Sequence, residues 1–157
     1  MPEILNALLP EATAQTLELM AFVAALPLDE PPELPPGAVI TRLRFRGAGG
    51  EGLEGCVEMG TSEAFGQMLA DNMLGPGEDE SQGHQRSQDA LKEALNILCG
   101  TLLRQFCSTG KVVEMSLPQI QPASAEAWTE LTRDEQSLLL DADGHVLVVR
   151  ANYKEAT

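Results

Sequence analysis

The chain has 157 residues and a formal net charge of -14, from 10 Lys and Arg against 24 Asp and Glu. A surface this acidic repels phosphate backbones, which argues against nucleic-acid binding and favours partners with a basic patch. No run approaches the ~18 apolar residues of a membrane span, and the start, Met-Pro-Glu-Ile-Leu-Asn, lacks the basic and apolar segments of a signal peptide. Cys56, Cys99 and Cys107 are odd in number and have no C-x-x-C spacing. They read as buried thiols in a reducing, cytoplasmic compartment. The length fits one domain over 1–157 with a sizeable core.

Residues 3–24 carry Ile4, Leu8, Leu17, Met20, Ala21 and Ala24 at helical spacing. Pro10 is expected to break this stretch, with the main helix running from about Glu11. Five prolines between 27 and 36, followed by Gly37, mark an irregular connection. Val39, Thr41, Leu43 and Phe45 alternate with Ile40, Arg42 and Arg44, which reads as a strand over Ala38–Phe45. A glycine-rich tip follows, then a second strand over Leu53–Met59. Thr61 or Ser62 caps a helix carrying Ala64, Phe65, Met68, Leu69 and Met73.

Residues 75–86 form a polar, acidic loop. Ser87 is expected to cap a long central helix that runs to about Cys107 and stops near Gly110. Lys111–Leu117 reads as a third strand ending at Pro118. A short helix is expected around Ala123–Leu131. Gln136–Leu140 and His145–Tyr153 form a hairpin around Asp141-Ala142-Asp143-Gly144. Helices and strand pairs segregate along the chain. This predicts an α+β two-layer sandwich with a mostly antiparallel sheet and long helices on one face.

The central helix carries the most informative pattern. Asp89, Glu93, Asn96 and Gly100 fall within roughly 40–60° of one another on a helix. Leu91, Leu95, Leu98, Leu102 and Phe106 gather on the opposite side. The apolar stripe supplies a core contact. The polar stripe offers a carboxylate that can pair with a cation and a carboxamide that can orient a water. Gly100 removes a side chain where another molecule could approach. A mid-helix glycine costs about 1 kcal/mol relative to alanine, so its presence calls for a reason. Glu-x-x-Asn alone is a cheap pattern, and it recurs at Glu3–Asn6.

Other motifs carry less. Gly47-x-Gly49-x-x-Gly52 matches a dinucleotide fingerprint in letters, but joins two strands and reads as a hairpin tip. Asp141-x-Asp143-Gly144 lacks the terminal Glu and helical flanks of a calcium loop and reads as a turn. His84 and His145 have no ligand-spaced companions for zinc. Cys99 and Cys107 read as structural thiols, and Trp128 as a core or interface anchor.

Asp89, Glu93, Asn96-Ile97, Gly100, Gly110 and Ser116-Leu117-Pro118 together resemble the CheC/CheX/FliY group of chemotaxis phosphatases. That family sets Asp or Ser, Glu and Asn on one helix, with a proline downstream at the spacing of Pro118. The strand at Gly55–Gly60 and the helix at Ala64–Leu74 fit as well. The likeness spans roughly 1–153 and is specific around 89–118. One Glu-x-x-Asn site is CheX-like, because CheC has two. Glu11-Ala12-Thr13-Ala14 echoes Glu93-Ala94-Leu95-Asn96, with alanine in place of asparagine.

The resemblance implies hydrolysis of the aspartyl phosphate of a response regulator such as CheY. Asn96 would orient the attacking water, and Glu93 would pair with the regulator's lysine. Asp89 and Gly100 would contact the partner. The regulator would bring Mg2+, and this chain would bind no cofactor. A homodimer made by strand pairing is also expected, through a C-terminal hairpin whose apolar strands would leave a sticky edge if unpaired. The alternative function is a non-catalytic module that docks on a response regulator or flagellar switch component.

Overall fold

The computed structural model describes residues 2–47, 53–75, 83–106 and 113–155. Helix α1 spans Pro2–Ala21 without interruption, so Pro10 does not break it. Pro10 lies on the exposed side of the helix. Its missing N–H leaves only the Asn6 carbonyl without a helical donor, and its ring meets solvent rather than core. Burial of Leu5, Leu9, Ala12, Leu17 and Ala21 along one stripe outweighs that loss.

Strand β1 (Ala25–Pro27) runs up to the first residue of the proline-rich segment and was not anticipated from sequence. It pairs with β6 (Leu138–Ala142), and the Leu28 amide extends the pairing to the Leu139 carbonyl at 2.9 Å. Strands β2 (Ala38–Gly47) and β3 (Leu53–Ser62) form an antiparallel pair. That pairing agrees with a strand-to-strand tip around Gly47–Gly52, although 48–52 themselves lie outside the described residues.

Helix α2 (Glu63–Leu74) is capped by Ser62, whose Oγ accepts from the Phe65 amide at 3.2 Å. Helix α3 spans Gly83–Phe106. The expected third strand over 111–117 is observed as the short β4 (Val113–Met115), and a further strand, β5 (Gln119–Pro122), which the sequence left unassigned, follows Pro118; both are antiparallel to β2. Pro118, between them, has no N–H for a ladder, which accounts for the break. Helix α4 (Ala125–Arg133) is capped by Ser124. Strand β7 (His145–Glu155) closes the hairpin with β6. Asp143 and Gly144 both have positive φ, 54° and 89°, the signature of a tight two-residue hairpin turn. The acidic triplet Glu78-Asp79-Glu80, Cys107, Gly110 and Lys111 lie outside the described residues.

The strands run in the order β1-β6-β7-β3-β2-β4, with β5 also on β2, and every pairing is antiparallel. Helices α1, α2 and α3 cover one face. Their Leu5, Leu9, Phe65, Leu69, Leu91, Leu95 and Leu102 meet Leu43, Phe45, Val57, Leu147 and Val149 in the main core. Helix α4 covers part of the other face through Trp128 and Leu131 against Ala38 and Val148. The Trp128 indole N–H donates to the Pro32 carbonyl at 3.0 Å, so this tryptophan is a core anchor that also ties down the proline segment. The architecture is the expected α+β sandwich, with one short helix added on the far side.

Helices α2 and α3 cross very closely. A Cβ built on Gly66 would lie 2.2 Å from Ser87 Oγ, 2.8 Å from the Ser87 carbonyl oxygen and 2.9 Å from Leu91 Cγ. Gly66→Ala is therefore expected to destabilise the fold by about 1–3 kcal/mol through overpacking, although Gly→Ala inside a helix ordinarily gains about 1 kcal/mol. The urea midpoint measures it, and a rise would show that the helices can separate at no cost.

Candidate functional site on helix α3

The crossing at Gly66 corrects one expectation. Ser87 does not cap α3, which begins at Gly83. Ser87 is fully buried one turn inside the helix, where its Oγ donates to the Glu63 carbonyl at 2.8 Å. The serine is there because a small polar side chain fits the crossing and satisfies an α2 carbonyl. Arg86 fixes the same end of α3, donating to the Gly75 carbonyl at 2.7 Å and lying 3.4 Å from Asp71.

The two stripes of α3 separate as their spacing requires. Leu91, Leu95, Leu98 and Leu102 are buried. Phe106 is half-buried, with its ring edge-on to Tyr153 at 5.0 Å. On the other side Asp89 and Glu93 are exposed, while Asn96 and Gly100 are half-exposed. Ala90 and Ala94, between them, are buried and let α3 settle onto its neighbours α1 and α2. The stripe is thus presented outward on a helix held on its other sides. Asp89 accepts from Gln85 Nε2 at 2.8 Å, an i, i+4 contact that orients its carboxylate. Gln85 escapes a reading by motif because it belongs to no pattern of its own.

Nothing lies within 4 Å of a Cβ built on Gly100. Among the described residues no packing contact therefore requires glycine there, in contrast to Gly66. The stripe offers a rigid row of carboxylate, carboxylate, carboxamide and bare backbone. That is enough to pair with a cation, aim a water and admit a second surface close to the helix.

The echo on α1 has a similar exposure pattern. Glu11 is exposed and Ala12 and Thr13 are buried, matching Glu93, Ala94 and Leu95 in order, while Ala14 is exposed where Asn96 is half-exposed. With alanine at the fourth position that face has no group to orient a water. Cys99 does not join the α3 site. Burial pushes the Cys99 thiol up to about 12, so it stays protonated and a poor nucleophile.

The outer sheet face carries the strongest electrostatics. Arg42, Glu58 and Arg150 stand side by side on β2, β3 and β7. Glu58 is buried and accepts from Arg42 Nη2 at 2.6 Å and Arg150 Nη2 at 2.7 Å. Arg150 also reaches Asp134 at 3.0 Å and Glu130 at 3.2 Å. Burial pushes the Glu58 carboxyl up, but the two guanidiniums outweigh it and hold it below the ordinary value. This cluster lies on the face away from α3.

A family model described as chemotaxis phosphatase CheX matches residues 44–140, more than half of the chain. The chain belongs to the CheX family of chemotaxis phosphatases. It is similar in fold to a chain of the CheX–CheY–BeF3–Mg2+ complex from Borrelia burgdorferi, at a TM-score of 0.67 and 16% identity over 94% of this chain and 96% of that one. CheX from Vibrio vulnificus aligns at a TM-score of 0.66 and 15% identity, over 93% of each chain. FliY from Thermotoga maritima aligns at 0.53 and 16%, over 96% of this chain and 91% of that one. A search of curated proteins finds no match.

Proposed function

We propose that this chain is a protein aspartyl-phosphate phosphatase that hydrolyses the acyl phosphate of a CheY-like response regulator. The observation that carries the reading is the outward row Asp89-Glu93-Asn96-Gly100 on a helix whose other side is locked into the core. Asn96 holds a water in line with the phosphorus through its carboxamide. The water oxygen forms the new bond to phosphorus as the bond to the aspartyl oxygen breaks. The aspartyl carboxylate leaves with the bonding pair, and the water's proton goes to solvent or phosphate. Phosphoryl transfer of this kind needs positioning and charge management rather than covalent help.

Glu93 pairs with a lysine of the regulator and sets the register of the helix in the site. Asp89, held by Gln85, and Gly100 contact the regulator on either side. The regulator contributes Mg2+, which neutralises the phosphoryl oxygens, and this chain contributes no metal of its own. A cytoplasmic site of action is part of the same reading. It is supported by free Cys56 and Cys99 and by the absence, among the described residues, of a helix long and apolar enough to cross a membrane.

The test is decay of a phosphorylated, Mg2+-loaded regulator with and without the chain. Faster decay supports the proposal. Binding without faster decay points to the non-catalytic docking module.

Gly100→Ala separates recognition from folding. With open space around the new methyl group, the fold is expected to gain about 0.5–1 kcal/mol. Turnover is expected to fall if the regulator closes on that point of the helix. Loss of both stability and turnover would return Gly100 to a packing role.

We also propose a homodimer formed by strand pairing. The hairpin itself is not the edge, because β6 lies between β1 and β7, and β7 between β6 and β3. The open edge that fits pairing is β4–β5, where Met115 is 36% and Leu117 86% exposed. Light scattering at micromolar concentration is expected to give twice the 16.8 kDa chain mass. A clean monomer mass would remove the dimer.

A further inference from the structure

Phe22 ends α1 in a conformation its side chain does not favour. Its φ is 56°, in the left-handed region where the residue after a helix is usually glycine. The Phe22 amide donates to the Glu18 carbonyl and the Val23 amide to the Leu17 carbonyl, each at 3.2 Å. That is the helix-closing turn in which the next residue, Val23, is buried. The Phe22 ring gains nothing inside the fold, because it is 86% exposed. Neither the backbone nor the core asks for phenylalanine here.

The ring has apolar company. Leu19, one turn earlier, is 81% exposed. Asn72 Nδ2 donates to the Ala21 carbonyl at 3.0 Å, which brings the end of α2, with its 72% exposed Leu74, to the end of α1. The bond from Arg86 to the Gly75 carbonyl brings the start of α3 to the same corner. Asp89 follows Arg86 by one turn. The apolar corner is therefore continuous with the polar stripe. Exposed Glu18, Asp71 and Asp89 border it together with the half-buried Arg86 that pairs with Asp71, which leaves the border an excess of carboxylates.

That border decides the occupant. A second copy seated across a twofold axis would bring the same carboxylates face to face, which is unfavourable. A partner with an apolar centre and a basic rim is complementary. An exposed aromatic beside aliphatic groups, ringed by charge, is the usual anatomy of a binding hot spot.

We propose that Phe22, Leu19 and Leu74 form the apolar anchor on which the receiver domain of the response regulator seats while Glu93 and Asn96 enter its phosphorylation site. This inference rests on the function proposed above. It divides the surface into a corner that supplies affinity and a stripe that supplies chemistry.

The experiment uses Phe22→Gly, which replaces the ring by the residue its backbone favours and so should not lower the unfolding midpoint. The probe is the receiver domain of a CheY-type response regulator, activated with beryllofluoride and Mg2+. Phe22→Gly is expected to raise Kd about tenfold or more. With the phosphorylated receiver it should raise KM and keep kcat at saturation. Asn96→Ala should do the reverse, losing kcat and keeping Kd. Unchanged Kd and KM for Phe22→Gly overturn the anchor, as does a parent chain that does not bind the receiver. A fall from dimer to monomer mass in Phe22→Gly assigns the corner to a second copy and also overturns it. If the parent binds the receiver without hydrolysing it, and Phe22→Gly weakens that binding, the anchor stands and the phosphatase reading fails.

Discussion

Asn96→Ala is expected to slow hydrolysis of a phosphorylated, Mg2+-loaded regulator by about two orders of magnitude or more, the usual scale for losing the group that positions a reactant. The fold should hardly notice. Asn96 is half-exposed and, among the described residues, its side chain makes no hydrogen bond. A change of this kind on a helix surface usually stays within about 0.5 kcal/mol. Glu93→Ala should also slow turnover, but through weaker productive docking, so higher regulator concentrations should recover part of it. Cys107→Ala should leave the rate near that of the parent, which separates water positioning from thiol chemistry. The measurement is phosphate release across regulator concentration, with unfolding midpoints recorded for each variant. Turnover by Asn96→Ala equal to that of the parent would end the proposed mechanism.

Glu58→Ala is expected to have the largest effect on stability, about 3 kcal/mol or more, because it leaves two donors of the buried Arg150 guanidinium without an acceptor. Arg150 is only 8% exposed and directs its Nε and Nη2 to Glu58. Asp134 and Glu130 would hold only its other terminal nitrogen. Replacing both partners, as in Glu58→Leu with Arg150→Met, should recover much of the loss, since a buried ion pair and an apolar pair of similar volume are often close in free energy. Urea unfolding of the two variants decides it, and a Glu58→Ala midpoint near that of the parent would show that Arg150 finds water.

The same carboxylate sets a pH dependence. Its folded value lies below the ordinary 4.5. The unfolded state therefore takes up the proton first as pH falls. The stability contributed by Glu58 is fully present above about pH 4.5. It is lost as pH drops through the folded value. Glu58→Ala should flatten the acid limb of the stability curve. Turnover should not depend on this group directly, because it lies on the opposite face of the sheet from α3.

How much of this was legible beforehand differs from element to element. The two stripes of α3 are a property of spacing alone. Any helix through Asp89–Phe106 separates Leu91, Leu95, Leu98 and Leu102 from Asp89, Glu93, Asn96 and Gly100, and the fold only had to bury the first set. The β2–β3 pair, a cap at Thr61 or Ser62 and a turn within Asp141–Gly144 were readable for the same local reason, and the structure narrows them to Ser62 and to Asp143-Gly144, with Asp141 and Ala142 in β6. Their side chains or backbone angles act within a few residues.

Tertiary structure decided what depends on a distant partner. Strand β1 exists because β6 offers it a ladder, which no proline count reveals. Pro10 stays helical because the buried stripe of α1 outweighs one missing hydrogen bond. Ser87 became a crossing contact rather than a cap because Gly66, far away in sequence, left room for it. The two glycines make the division plainest. Gly66 and Gly100 look alike in the sequence, each inside an amphipathic helix. Only the neighbours show that one is filled by another helix and the other faces open space, because what a missing side chain admits is fixed by what packs opposite it. Spacing along the chain was enough for the polar stripe of α3 and the class of fold. The packing decided the ion cluster at Glu58, the unpaired β4–β5 edge and the exposed corner at Phe22, since each is made by elements that meet only when the chain has folded.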